Sequence, residues 1–208
     1  MLERLFDAAV STIALIILSP VFLVFALLIR TSSPGPIFYR QVRVGRFGHE
    51  FRIHKFRTMV AEAERLGPPV TTRLDPRITR IGHVLRKYKL DELPQLIDVA
   101  RGTMSLVGPR PEVPRYVAMY PEAQRREILS VRPGITDPAS LHFRNESDML
   151  SEGSDPEQMY VSEILPRKLA LSIDYVRHKS LTKDLAVIFH TVLALFRRGT
   201  GGGEGNHG

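Results

Sequence analysis

The uncharged apolar segment 8–29, which lies between Asp7 and Arg30, constrains the fold of this chain more than any other feature. At about 1.5 Å per residue, a helix of this length can cross a hydrocarbon core of roughly 30 Å. Ser19 and Pro20 lie near its middle, and proline removes a backbone donor and clashes with the preceding turn, so we expect a kink there. The segment therefore either crosses the bilayer or dips into it and returns to the same face; its length alone favours crossing.

Flanking charge predicts the side of the membrane on which the rest of the chain lies. The positive-inside rule places in the cytoplasm the four arginines that follow the apolar segment, Arg30, Arg40, Arg43 and Arg46. The residues before the segment are nearly neutral and no small-x-small cleavage site follows it. It therefore does not resemble a cleavable signal peptide.

Composition narrows the possible partners. The 208 residues include 29 Lys and Arg against 22 Asp and Glu, which gives a net charge of +7. This charge favours anionic partners such as nucleic acid, acidic lipid headgroups or phosphorylated substrates. The absence of cysteine excludes disulfides and thiolate metal sites. The seven histidines lack the spacing of zinc ligands, and we interpret each as an ordinary surface or hydrogen-bonded residue.

The pattern of residues 31–198 predicts an α+β domain. Two β-rich runs, 37–44 and 50–56, flank a Gly-Arg-Phe-Gly turn and predict a small β-hairpin. A brief helix and an irregular loop are expected at 61–67 and 68–76. Apolar periodicity predicts helices from residue 78 and at 91–101, 113–130 and 166–178, and a strongly amphipathic helix at 181–198. The Gly-rich end, 199–208, is expected to be disordered.

Two adjacent carboxylates, Asp91 and Glu92, are the first candidates for catalytic groups. They are predicted at the first positions of helix 91–101, where free N–H groups and the helix dipole favour ionised carboxylates. The neighbouring charges of Arg86 and Lys89 strengthen that preference. An ionised aspartate can attack phosphorus, and a neighbouring carboxylate can hold a divalent cation or move a proton. Helix capping is the alternative explanation, because acidic residues are common at helix starts.

Basic residues near turns are candidate phosphate ligands. Arg110 lies between two prolines that stiffen its backbone, so its guanidinium could bind phosphate oxygens bidentately. Arg132 lies at the mouth of a Val-Arg-Pro-Gly turn. Strand alternation puts Lys55 and Arg57 on one face of the second β-rich run. The alternatives are a purely structural turn for the first two and a solvated strand face for the others.

Six short motifs follow one another along the chain: Ser-Pro within the apolar segment, PIFYRQ, KFRTM, LDELPQL, SLVGPRP and VRPGIT. Together they closely resemble those of the bacterial sugar transferases that initiate glycoconjugate assembly. Within that family the chain is most similar to the small monotopic phosphoglycosyl transferases. The resemblance covers nearly the whole chain, to residue 198.

The resemblance implies a reaction and a set of site residues. A sugar-1-phosphate would move from a UDP-sugar to undecaprenyl phosphate with release of UMP, through a phosphosugar carried by Asp91. Mg²⁺ would be required, with Asp91 and Glu92 as its ligands. This would be the first membrane step of polysaccharide or glycoconjugate biosynthesis. The residues expected to bind the substrate phosphates or the nucleotide are Lys55, Arg86 and Arg110 by motif position, and Arg132 by its turn.

The resemblance also implies a topology. Ser19 and Pro20 would turn residues 1–30 back as a re-entrant helix hairpin in the bacterial inner membrane. Amphipathic interfacial helices would then surround an active site on the cytoplasmic face. Membrane lipids and downstream glycosyltransferases would be partners of such an enzyme, and nucleic acid would not.

One segment departs from the family pattern. Many relatives continue the Arg-Pro-Gly-Ile-Thr motif with Gly-Trp-Ala-Gln, whereas residues 137–141 read Asp-Pro-Ala-Ser-Leu. This segment is expected to border the nucleotide-sugar site, so the identity of the sugar cannot be carried over.

Two non-enzyme hypotheses also stay open. One is a membrane-anchored nucleic-acid-binding module with a basic, aromatic hairpin; the other is a membrane adaptor that uses 181–198 as a partner helix.

Overall fold

The computed structural model describes residues 2–67, 70–72, 75–151 and 155–200. Helices predominate, and the strands form three short two-stranded ladders, so the predicted α+β class is confirmed. Part of the loop expected at 68–76 and most of the tail expected at 199–208 lie outside the described residues.

Helix α1, Leu2–Ser32, contains the whole apolar segment. Pro20 has no N–H, so the carbonyl of Ile16 lacks its usual helical donor. The hydroxyl of Ser19 donates to that carbonyl instead, at 2.8 Å. The chain therefore stays helical through Ser19 and Pro20, and a re-entrant turn at this point stays a prediction. Within the described part of the chain, Glu3–Ser32 is the one helix that is long and apolar enough to cross a membrane by length and composition.

The predicted β-hairpin is confirmed as two consecutive antiparallel ladders. Strands β2 (Val42–Val44) and β3 (Glu50–Arg52) pair next to the turn, and strands β1 (Phe38–Tyr39) and β4 (Lys55–Phe56) pair further from it. The turn contains Phe47 at a left-handed φ of 59°.

The segment that contains the two carboxylates differs from the predicted helix 91–101. Helix α2, Arg80–Lys87, is followed by Lys89 at a φ of 57° and by a 3₁₀ turn, Leu90–Glu92. Helix α3, Gln95–Arg101, begins only after this turn. Because the left-handed residue starts a tight turn and Pro94 cannot donate a hydrogen bond, Asp91 and Glu92 precede the α-helix instead of opening it. The brief helix expected at 61–67 is likewise a 3₁₀ turn, Ala63–Arg65.

A parallel pair of strands brings two distant motifs together. Strand β5 (Ser105–Val107) pairs in parallel with β6 (Gly134–Thr136), so the SLVGPRP and VRPGIT motifs lie side by side. A Cβ at Gly134 would lie 2.1 Å from the backbone nitrogen of Gly108, so this approach requires glycine. Periodicity did not predict these strands, since three residues are too few to establish it.

Further helices follow along the chain, and several of them contribute to the main hydrophobic core. They are α4 (Pro114–Val117), α5 (Glu122–Ile128), α6 (Pro138–His142), α7 (Glu146–Met149), α8 (Pro156–Met159), α9 (Leu165–Arg177) and α10 (Leu181–Thr200). A single helix over 113–130 is wrong, because Pro121 interrupts it between α4 and α5. The core contains Tyr116, Ile128, Phe143, Tyr160 and Leu165.

Two smaller clusters attach α1 and the hairpin to the rest of the protein. Ile29 of α1 packs with Phe56 of β4 and Leu85 of α2. Ile53 packs with Val99 of α3 and with Met104. These contacts place β4 between α1 and the segment that contains Asp91.

Candidate active site

Glu92 is the centre of a buried group of ion pairs. Lys55 of β4 donates from Nζ to Oε1 of Glu92 at 2.9 Å. Arg110, in the loop after β5, donates from Nη1 to Oε2 at 3.0 Å and also from Nη2 to Oε1. The structure therefore brings the KFRTM, LDELPQL and SLVGPRP motifs together at one carboxylate. The planar fork of Arg110, expected to bind phosphate oxygens, contacts both oxygens of Glu92 here, and its role as a phosphate ligand stays a prediction.

Opposite charges determine the protonation of this group. Burial raises the pKa of Glu92, but the charges of Arg110 and Lys55 outweigh it and hold that pKa well below its usual value. Burial lowers the pKa of Lys55, and the charge of Glu92 opposes that shift. Glu92 raises the pKa of Arg110. Glu92 is thus ionised and its two oxygens are occupied at neutral pH.

Asp91 has the opposite character, although it is the next residue in the chain. It is only 7% exposed, and its Oδ1 has no hydrogen-bond partner among the described residues. Burial raises the pKa of Asp91, the charge of Glu92 raises it further, and Lys55 and Arg86 oppose the shift. The surroundings therefore shift the pKa of Asp91 in the direction opposite to the one expected from a helix start and nearby cations.

Arg86 lies beside Asp91 as predicted, while its own hydrogen bond goes elsewhere. Its Nε donates to the hydroxyl of Thr58 at 2.8 Å. Burial lowers the pKa of Arg86, and the negative charge of Asp91 is the strongest influence that opposes this. The two side chains are thus close enough to interact electrostatically.

A sequence profile described as bacterial sugar transferase matches residues 1–198. The chain belongs to the bacterial sugar transferase family.

Similarity to individual members of the family extends over most of this chain. It is 36% identical over 200 residues to the UDP-glucose:undecaprenyl-phosphate glucose-1-phosphate transferase of Escherichia coli (strain K12), covering 94% of this chain and 40% of that protein. It is 36% identical over 208 residues to the exopolysaccharide production protein ExoY of Sinorhizobium fredii, covering 93% and 84%. It is 35% identical over 195 residues to the UDP-N-acetylgalactosamine-undecaprenyl-phosphate N-acetylgalactosaminephosphotransferase of Aeromonas hydrophila, covering 92% and 43%. The chain thus spans less than half the length of the first and third of these relatives.

The two carboxylates differ in their fitness as metal ligands. Both oxygens of Glu92 already accept hydrogen bonds from Lys55 and Arg110, whereas Asp91 has an unpartnered oxygen. No group of three or more His, Cys, Asp or Glu side chains that could hold a metal ion occurs in the described part of the chain. Mg²⁺ often binds through one or two carboxylates together with substrate phosphates. Asp91 fits that role, and Glu92 fits it only by giving up its cationic partners.

Arg132 does not join the site in this structure. Its Nε donates to the carbonyl of Gly102 at 2.9 Å, at the end of α3 away from Asp91. A substrate-binding role for Arg132 stays a prediction. Arg57, expected to share a strand face with Lys55, bonds the end of α1 instead, through the carbonyls of Ser33 and Pro34.

Two features of the site region were not found from the sequence. The backbone N–H of His54 donates to Oδ2 of Asp98 at 2.8 Å, and Nδ1 of the same histidine lies 2.6 Å from Oδ1. This buried pair joins the hairpin to α3. Gln95, which is 1% exposed, has no hydrogen-bond partner for either amide atom among the described residues. In the sequence, the only signal for Gln95 was its position close to Asp91 and Glu92.

The nucleic-acid hypothesis is not supported. The matching family and its named members are sugar transferases. The basic hairpin also uses its arginines within the protein. Arg43 donates to the carbonyl of Pro111 at 3.0 Å and to Gln41 at 2.6 Å, and Arg40 donates to the carbonyl of Arg52 at 2.9 Å.

Proposed function

We propose that this protein transfers a sugar-1-phosphate from a UDP-sugar to undecaprenyl phosphate and releases UMP, with Asp91 as the nucleophile. The observation that carries the proposal is the contrast between the adjacent carboxylates Asp91 and Glu92. Asp91 is buried with an unpartnered oxygen, beside a Glu92 that is neutralised by Lys55 and Arg110. The names of the relatives supply the donor class and the lipid acceptor. Glucose and N-acetylgalactosamine both occur among those names, so the sugar is left open.

The first step forms a covalent phosphosugar. A carboxylate oxygen of Asp91 attacks the phosphorus that is attached to the sugar, and the bond from that phosphorus to the bridging oxygen breaks as UMP leaves. Burial of Asp91 keeps water away from the new acyl phosphate, which would otherwise be hydrolysed. Mg²⁺ bound by Asp91 and the diphosphate would neutralise charge on the phosphate oxygens.

The second step transfers the phosphosugar to the lipid. A phosphate oxygen of undecaprenyl phosphate attacks the same phosphorus, and the bond to Asp91 breaks, which regenerates the carboxylate. Glu92 stays ionised throughout because its pKa is held well below the usual value. In this proposal it holds Lys55 and Arg110 next to the reacting phosphorus, where their charges stabilise the transition state.

The packing of α1 supports a monotopic placement on the cytoplasmic face. Near its start, Arg4 donates to the carbonyls of Val99 and Ala100 at 2.8 and 2.7 Å. Near its end, Ile29 is buried against Phe56. Both ends of α1 thus pack against the same polar part of the protein, and this part cannot extend through the bilayer. We propose that α1 enters and leaves the membrane at one face, where the lipid phosphate would reach Asp91.

Intact-mass measurement after incubation with each of a set of UDP-sugars tests the function. The wild-type protein should gain one sugar-phosphate on the peptide that contains Asp91, release UMP, and lose the adduct when undecaprenyl phosphate is added. Asp91→Asn should form no adduct, whereas Asp174→Asn, a change at an exposed aspartate, should behave as wild type. An adduct that persists in Asp91→Asn would place the nucleophile elsewhere. No UMP release with any UDP-sugar would favour the adaptor hypothesis.

A further inference from the structure

The side chain of Gln95 is unusual because it is buried without a hydrogen bond. It is 1% exposed, and neither Nε2 nor Oε1 has a partner in the part of the chain that the structure describes. Buried amides are almost always hydrogen-bonded, since an unpaired donor or acceptor has lost its water without compensation. An unpaired amide of this kind destabilises the free protein, which suggests that a ligand provides the missing partner.

The position of Gln95 points to the substrate as that ligand. It is the first residue of α3 and comes four residues after Asp91, whose Oδ1 is the other unpartnered buried oxygen of this segment. Side chains four residues apart lie on the same side of a helical segment. The two unpartnered groups are thus neighbours on one short stretch of chain.

Each cation around Asp91 already donates to at least one protein group and keeps further N–H donors. Lys55 and Arg110 donate to Glu92, and Arg86 donates to Thr58. The amide of Gln95 differs from these cations because it is neutral and both of its polar atoms are buried without a partner in the described part of the chain. Such a fixed, neutral donor stabilises charge that develops on an oxygen during the reaction and does little for the ground state.

We propose that the carboxamide of Gln95 binds the transferred phosphoryl group, with Nε2 donating to a non-bridging oxygen of the phosphorus that Asp91 attacks. This inference rests on the proposed function and assigns one more substrate-contacting group to the same site. It is distinct from a structural role, because a structural amide stabilises the fold whereas an amide kept for the substrate does not.

Gln95→Met tests the proposal, because methionine matches the length of glutamine and removes both polar atoms. We expect the melting temperature without substrate to be equal to or above that of wild type. The rate of adduct formation on Asp91 should fall by about a hundredfold, with the loss in kcat and little change in KM. Gln158→Met, a change at an exposed residue of α8, is the matched control and should alter neither quantity.

Each other outcome overturns the assignment. A lower melting temperature in Gln95→Met than in Gln158→Met would show that the amide has structural partners. An adduct rate within twofold of wild type would show that the amide does not contact the phosphoryl group. If wild type releases UMP and Gln95→Met forms the adduct at the wild-type rate, the role of Gln95 is contradicted and the proposed function is not. If wild type releases no UMP with any UDP-sugar, the proposed function and this inference both fail.

Discussion

At the scale of single residues, two adjacent carboxylates acquire opposite properties from their surroundings. Burial and the charge of Glu92 raise the pKa of Asp91, whereas Arg110 and Lys55 hold the pKa of Glu92 well below its usual value despite burial. A separation of this kind commonly distinguishes the roles of paired acids in enzymes. Asp91 keeps an unpartnered oxygen, which the proposed covalent step would use, and Glu92 holds two cations that would meet the phosphates in the same proposal.

The raised pKa of Asp91 predicts a pH-dependent change in stability. Its pKa in the folded protein lies above the value of 3.8 for an unfolded chain. The stability that Asp91 contributes is therefore present below 3.8 and lost as the pH rises through the folded pKa. Asp91→Asn cannot ionise and should be more stable than wild type at pH 7, with the difference vanishing below 3.8. Thermal unfolding in detergent across this pH range is the measurement.

Turnover provides the second readout for the same variant. Activity of Asp91→Asn should fall on the order of 10³-fold or more if Asp91 is the nucleophile. Asp174→Asn should change neither stability nor turnover appreciably, because Asp174 is exposed. A loss of stability in Asp91→Asn at pH 7 would instead mean that the folded protein stabilises the carboxylate.

Arg110→Lys isolates the contribution of guanidinium geometry. Lysine keeps the positive charge but cannot donate to both oxygens of Glu92 through a planar fork. We expect turnover to fall by about a hundredfold, with Arg115→Lys at an exposed ion pair as the control. Equal UMP release by Arg110→Lys and wild type would show that only the positive charge of Arg110 matters, and not its geometry.

At the scale of secondary-structure elements, β4 connects α1 to the site. Arg57 donates to the carbonyl of Ser33 at 2.7 Å at the end of α1. Phe56 packs its ring against Phe22 and Phe25 of α1, with centroids 5.3 and 5.8 Å away. Lys55 then reaches Glu92. Three consecutive residues thus connect the site to α1.

Arg57→Ala tests the importance of this connection. The change leaves the carbonyls of Ser33, Pro34 and Ile29 without their side-chain donor. We expect a loss of roughly 2–4 kcal/mol in the free energy of unfolding, since buried acceptors lose their partners. Turnover measured below the melting temperature should also fall. Arg52→Ala, at an exposed position of β3, should have little effect; equal effects of the two changes would remove Arg57 from the connection.

At the scale of the whole molecule, the exposed apolar surface indicates which side meets the membrane. Most of α1 is exposed, including Ile16 and Ile17 at 68% each. Helix α10 exposes Leu185, Phe189 and Val192. These residues belong to the apolar face that the periodicity of the helix predicts. An exposed apolar surface of this extent on a soluble protein would be unfavourable, so lipid is the expected partner of both helices.

Single cysteines can test the predicted topology, because the native chain contains none. Glu3→Cys and His49→Cys would report the start of α1 and the tip of the hairpin. In spheroplasts, both should resist a membrane-impermeant thiol reagent added from outside, and both should react once the membrane is permeabilised. Labelling of Glu3→Cys but not of His49→Cys in intact spheroplasts would establish a single crossing and contradict the monotopic placement.

Local features of the sequence were enough to predict several elements. The apolar segment, the hairpin around its Gly-Arg-Phe-Gly turn, and α9 and α10 follow from periodicity and from chain-breaking residues, which act over a few positions. The ordered motifs also identified Asp91, Glu92, Lys55 and Arg110 as candidates. Such patterns could not predict which ion pairs these residues form or how deeply they are buried.

The sequence by itself thus determined the long apolar helix, the α+β class and the candidate residues. Only the tertiary structure decided that Glu92 is occupied by Lys55 and Arg110, and that Asp91 and Gln95 are buried without partners. It also decided that Arg132 bonds Gly102 away from the site. The physical reason is that ion pairing and burial depend on groups that are far apart in the chain and meet only when β4, the 3₁₀ turn and the loop after β5 pack together.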